Sequence, residues 1–218
     1  AELTAHVEEF VMRLNGRQTI YQMIQLAEEV KNRGGVPQEP LAYKHEYHGR
    51  LMTRIQGRID ALVSGQAKPH EWTVPGAHAL LDCLRQRGVT LYLASGTDEA
   101  YVKHEARLLG LAEYFGPHIY GALDDYQSFS KKLIIERILK ENNLRGEELL
   151  GFGDGFVEIE EVKRVGGVAV AVASNEATRE GIDAWKRERL IRAGADLVIG
   201  DYRNADEVLR LLFEPPDL

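Results

Sequence analysis

The sequence predicts an α/β fold, a parallel sheet covered by helices on both faces and preceded by a helical segment without strands. Two observations carry this. Up to about residue 65, apolar residues recur only at the spacing of an amphipathic helix. From Val74 onward, short β-rich runs alternate with helical patterns across Gly-rich turns, the signature of a parallel sheet wrapped by helices.

Taken in order, Val7, Phe10, Val11 and Leu14 form one apolar face, and Ile20, Met23, Ile24, Ala27 and Val30 form another. Asn15-Gly16 divides these into two helices, and Gly34-Gly35-Val36-Pro37 ends the second. A third helix is predicted over 41–63, with Tyr43, Tyr47, Leu51, Ile55, Ile59 and Leu62 toward one side. Gly65 and Pro69 then punctuate the chain, and the domain boundary falls near residues 64–75. Pro75-Gly76 opens a helix over 77–87 that Gly88 caps. Strands are predicted at 89–94, 118–121, 149–152, 168–172 and 196–199, and helices at 98–109, 131–142, 158–165 and 206–213.

The chain has 218 residues, enough for one ordinary domain or a core with a smaller insertion. Its net charge of −7 leaves no dominant positive field for nucleic acid. The basic cluster Lys186-Arg187-Glu188-Arg189 with Arg192 reads as a solvated helix face. One cysteine, Cys83, excludes an internal disulfide and fits a reducing, cytoplasmic compartment. It lies in a helical pattern, where a small packing residue is the expected role. No apolar run approaches the ~18–20 residues that span a bilayer.

Leu149 to Glu161 reads L-L-G-F-G-D-G-F-V-E-I-E-E. Here a strand ends in Gly153-Asp154-Gly155, and Glu158 follows one helical turn after Asp154. Two carboxylates converging on one point suit Mg²⁺. The alternative is a solvated turn whose glycines supply positive φ. Ser95 follows another strand, with Gly96 and Thr97 behind it. That hydroxyl and the free N–H groups would suit a phosphoryl oxygen, or would cap a helix. Lys131 and Lys132 open a helix after Ser128-Phe129-Ser130. Ser95, Asp154 and Asp201 all follow strands, at the sheet end where ligands bind.

In that order, strand–Ser95, Lys131 (or Lys132) at a helix start, then Asp154 and Glu158, the chain resembles the haloacid dehalogenase-like hydrolase superfamily. Ser95 looks like the family's second motif, the lysine its third, and the two acids its fourth, metal-binding motif. The resemblance covers roughly residues 74–213 and implies a Rossmann-like core over 74–218, with residues 1–70 as a helical cap. It further implies a Mg²⁺-dependent phosphatase acting on a small phosphorylated metabolite, such as a sugar phosphate, through an aspartyl-phosphate. In that scheme Ser95 and Lys131 are catalytic, Asp154 and Glu158 hold the metal, and Gly96, Thr97, Arg17 and Gln18 contact substrate. Asn15, Tyr43, Lys44, His45 and Tyr47 lie near the cap's breaks; surface exposure or cap packing is the simpler reading of each. His45 and His48, three apart, would suit a metal only with further ligands.

The wording L-Y-L-A-S-G-T-D-E and G-F-G-D-G-F-V-E-I-E also resembles phosphatase-like domains found beside sugar kinases, which implies fusion or association with one. One motif is missing. The family's first motif is an Asp-x-Asp ending the central strand, and this sequence contains none; its first aspartate is Asp60. The expectation is a chain lacking its central first strand, with the nucleophile upstream of Ala1, and therefore inactive by itself. A non-catalytic phospho-ligand module on the same fold is the alternative. A dehalogenase is disfavoured by the acids of the fourth motif, because that reaction does not use Mg²⁺ in this family.

Overall fold

The computed structural model describes residues 2–126 and 128–214. Helices α1 (Glu2–Leu14), α2 (Thr19–Asn32) and α3 (Pro40–Val63) form the N-terminal helical unit, packed around Phe10, Ile20 and Met23. The break at Asn15-Gly16 falls as expected, with Gly16 at φ +91°. The expected stripe along α3 is displaced. The buried residues of this helix are Lys44 and His48, while Tyr47 is exposed.

A 3₁₀ turn at Pro69–Glu71 leads to the core, which runs α4 (Ala77–Gln86), β1 (Leu93–Asp98), α5 (Glu99–Leu108), α6 (Ala112–Phe115) and β2 (Ile119–Ala122). It continues with α7 (Lys131–Glu141), β3 (Leu150–Gly153), α8 (Phe156–Arg164), β4 (Val168–Val172), α9 (Ala184–Arg192), β5 (Leu197–Ile199) and α10 (Ala205–Phe213). Among the described residues, the ladders between these strands are all parallel. In β4, Val170 and Ala171 are both fully buried, so neighbouring residues that face opposite ways each meet a layer of protein. One layer is built on Ile135, Ile159, Val162 and Leu190, from α7, α8 and α9. Another joins Leu80 and Leu84 of α4 to Leu209 of α10, with Phe152 packed against them.

The strands do not form one sheet. β1 pairs with β2, and β3-β4-β5 pair in that order, which leaves β1 and β3 each with one neighbour among the described residues. Between them lies a cavity of about 1080 Å³, lined by Leu84, Leu91, Ile135, Phe152 and Val162 and also by Lys131 and Glu158. This slot explains a difference from the sequence reading. The β-rich run at 89–94 becomes strand only from Leu93, where the Leu93 N–H reaches the His118 carbonyl. Residues 89–91, which also line the slot, lie in no strand ladder among the described residues. Extended backbone needs a ladder partner to register as a strand.

Candidate active site

The Gly153-Asp154-Gly155 turn joins β3 to α8, and Glu158 lies in the first turn of that helix. Its Oε1 accepts the Gly155 N–H at 2.8 Å, satisfying one of the free donors at the helix start. Its Oε2 accepts from Lys131 Nζ at 2.6 Å, and both side chains are mostly enclosed, 14% and 17% exposed. The positive-φ reading of the glycines is corrected here. Gly155 has φ −101°, and Gly153 is not among the positive-φ residues. Their smallness is what counts. A Cβ on Gly153 would sit 2.4 Å from Glu158 Cγ, and one on Gly155 2.5 Å from Oε2. The two glycines clear the space into which Glu158 folds back over the turn.

Asp154 behaves differently. Its side chain is 62% exposed and Lys186 Nζ lies 3.8 Å away. Crowding by the surrounding chain, then the charge of Glu158, pushes its carboxyl above the usual aspartate range, against the pull of Lys186 and Lys131. Solvent contact moderates that shift. The two acids are therefore held close enough to repel, with Asp154 open and Glu158 bonded on both oxygens. Among the described residues no three His, Cys, Asp or Glu side chains converge.

Of the two lysines, Lys131 enters the site and Lys132 stays exposed. Ser130 caps α7 by accepting the Leu133 N–H at 3.1 Å, which fixes the helix start. Ser95 lies within β1, where the ladder to β2 is interrupted between Ala94 and Asp98. Its Oγ accepts the Thr97 N–H at 3.2 Å, so that N–H is already taken. Gly96 lies close to the helical unit, since a Cβ there would be 3.2 Å from the Arg17 carbonyl oxygen. Asp201 turns to Arg203 at 2.6 Å instead of joining the site.

The loop 15–18 lies over these turns. A Cβ on Gly16 would be 3.3 Å from Gly155 Cα. Gln18 is buried and its Nε2 donates to the carbonyls of Phe129 at 2.7 Å and Tyr126 at 3.3 Å, just ahead of Lys131. Arg17 is exposed. The structure thus gathers Lys131, Asp154, Glu158 and the 15–18 loop, and sets Gly96, the neighbour of Ser95, against Arg17 of that loop. Tyr43 instead accepts the Gln38 N–H, and His45 is exposed while His48 turns inward, so the two histidines do not share a ligand.

Two residues taken for a solvated face are part of this assembly. Lys186 pairs with Asp154 and with Glu176 at 2.7 Å. Arg189 donates to the carbonyls of Met12, Arg13 and Asn15 at the end of α1, and its guanidinium lies over Phe156 at 4.4 Å and Trp185 at 5.1 Å. A cation at a helix C-terminus complements the dipole, and the planar fork serves several carbonyls at once. Arg189→Ala is expected to cost about 1.5 kcal/mol of stability in urea titration. Arg189→Lys should restore only part of it, because an ammonium cannot stack and fork in the same way.

Comparison with known proteins places this geometry. Residues 71–166 match the family model of haloacid dehalogenase-like hydrolases. Over that stretch the chain is similar to haloacid dehalogenase-like hydrolases. No curated protein matches the sequence. Among solved structures, a haloacid dehalogenase-like protein of unknown function from Agrobacterium tumefaciens superposes with a TM-score of 0.63 at 18% identity, over 95% of this chain and 84% of that one. A β-phosphoglucomutase from Clostridium difficile gives 0.63 at 15%, over 94% and 81%. A predicted phosphoglycolate phosphatase from Haemophilus somnus gives 0.61 at 15%, over 93% and 82%. At these identities the superpositions establish the fold, a Rossmann-like core with a helical cap. None of the helices described here is long and apolar enough to cross a membrane.

Proposed function

We propose that this haloacid dehalogenase-like chain carries the phosphate- and metal-binding part of a phosphohydrolase for a small phosphorylated metabolite. In this reading, a strand upstream of Ala1 fills the slot between β1 and β3 and brings the nucleophilic aspartate to Lys131 and Glu158. One observation carries the reading. The slot left by the split sheet is lined by the Lys131–Glu158 ion pair, and Asp154 stands beside Glu158. Phosphoester chemistry in the names of two solved relatives supports it.

Lys131 would neutralise a phosphoryl oxygen once part of its bond to Glu158 is exchanged, and the Ser95 hydroxyl would donate to another. The donor set fits Mg²⁺. Asp154 is an open carboxylate pushed up by crowding and then by the charge of Glu158, a repulsion that a hard cation would relieve, and Glu158 would join directly or through water. When bound, the metal would offset the repulsion between an attacking carboxylate and the phosphate. Gln18 supplies a specificity element. Its amide nitrogen is fixed toward two carbonyls, so Oε1 faces away from them, buried and unpartnered among the described residues. An acceptor left so costs about 1–3 kcal/mol, which a substrate hydroxyl would recover. Arg17, exposed on the same loop, would meet a second anionic group of the substrate.

The test is turnover of a panel of phosphate esters with Mg²⁺ by the protein with its upstream segment restored. No turnover on any ester would overturn the reading. Ester binding without turnover would favour a non-catalytic phospho-ligand module. We further propose association with a sugar kinase and a cytoplasmic setting.

A further inference from the structure

Helix α3 is 24 residues long, and its buried residues are a lysine and a histidine, one turn apart. Lys44 is 1% exposed. Its Nζ lies 2.6 Å from Asp98 Oδ1, an ion pair short of hydrogen-bond alignment, and 3.4 Å from Asp124 Oδ1. His48 Nδ1 lies 3.3 Å from Asp98 Oδ2, and its ring meets Tyr101 edge-on at 5.1 Å. Asp98 occupies the N-cap position of α5, yet its carboxylate makes no cap bond. A capping aspartate usually contributes about 1 kcal/mol to its helix, and here that role is given up for the two α3 side chains. Asp98 ends β1 and Asp124 follows β2, so both contacts close the helical unit against the carboxyl ends of the strands.

We propose that Lys44 and His48 form a pH-sensitive latch, closing the N-terminal helical unit over the core through Asp98 and Asp124. An apolar contact would hold two units together without regard to pH. A buried ionic one is conditional, because removing or adding one charge leaves the others without compensation. The groups facing His48 are Asp98 and Asp124, which favour its protonated form, and Lys44 and the exposed His45, which oppose it, with Tyr47 and Tyr101 against the ring. Burial dominates and holds the imidazole below its ordinary value. The closed state therefore binds fewer protons than the open one. Closure is complete above the ordinary histidine range and weakens as pH falls through about 6.5 toward the lowered value, by at most about tenfold per unit.

The test is hydrogen exchange on the full chain between pH 7.5 and 5.5, corrected for intrinsic rates. The wild type should lose protection in α3 and the start of α5 as pH falls, while β4 stays protected. His48→Gln, neutral at every pH, should flatten that dependence. Lys44→Met should expose α3 and the start of α5 across the whole range, and Lys44→Arg should restore part of the protection. A pH dependence that survives in His48→Gln overturns the latch, as does wild-type protection in Lys44→Met. Should Lys44→Met also lose protection in β4, the wild-type and His48→Gln profiles, which keep the lysine, decide the matter.

Discussion

A peptide that can act as a strand should raise the melting temperature of this chain. The slot between β1 and β3 offers two parallel edges, each with backbone donors and acceptors lacking a neighbouring strand among the described residues, and an apolar lining on both sides. A strand buried on both faces is apolar throughout, and β3 and β4 span four and five residues, so about six residues suffice at 3.3 Å each. The probe is a Val/Ile-rich hexapeptide ending in Asp-x-Asp, kept soluble by lysines at its other end. At a hundredfold excess over its Kd, binding to the folded state contributes about 2.7 kcal/mol. For a chain of this length that is about 5–10 °C in Tm. Trp72, which lines the slot, should change its fluorescence in parallel. A control with proline at its third position lacks a ladder donor and should give no shift. Equal shifts from both peptides, or none from either at solubility-limited concentration, would mean that the slot does not accept a strand.

The same slot marks where sequence reading reached its limit. Elements whose signals are local were legible. The Asn15-Gly16 break, the α7 start at Lys131 and the Gly-Asp-Gly turn all follow from residues within a few positions of one another. The run at 89–94 is strand only from Leu93, because β character in a sequence presumes a partner strand, and residues 89–92 have no ladder partner among the described residues. The turn's glycines were located, but the alternative that accounts for them by positive φ does not hold. Their need is space for Glu158, a tertiary packing fact that no backbone propensity encodes. Arg189 and Lys186 carry the same charges as any solvated pair, and only the fold discloses that one grips α1 and the other faces Asp154. Lys44 was similarly opaque. A lysine on a helix is read as exposed until an opposing carboxylate is placed beside it.

Replacing Glu158 with alanine should cost about 3 kcal/mol, the largest single-residue loss expected in the site. Lys131 is 14% exposed and Glu158 is the ion-pair partner the structure gives it, so removing the acid leaves an enclosed ammonium compensated only in part, by the more distant pull of Asp154. The Gly155 N–H loses its acceptor as well, at the start of α8. Urea titration should therefore show a lower midpoint at unchanged slope, and Tm should fall by about 6–12 °C. Lys131→Met with Glu158→Leu removes both charges, and should recover at least 1 kcal/mol relative to the sum of the single variants. Asp154→Asn provides the contrast. Asp154 is exposed and sits beside a like charge that disfavours its ionised form, so the amide should be neutral or slightly stabilising, within about 0.5 kcal/mol. A residue whose charge works against the fold, next to one whose charge holds the fold together, is the pattern of an acid placed there for a ligand. Losses of similar size at the two positions would sink that distinction, and with it the argument that Asp154 is the open metal-binding arm of the site.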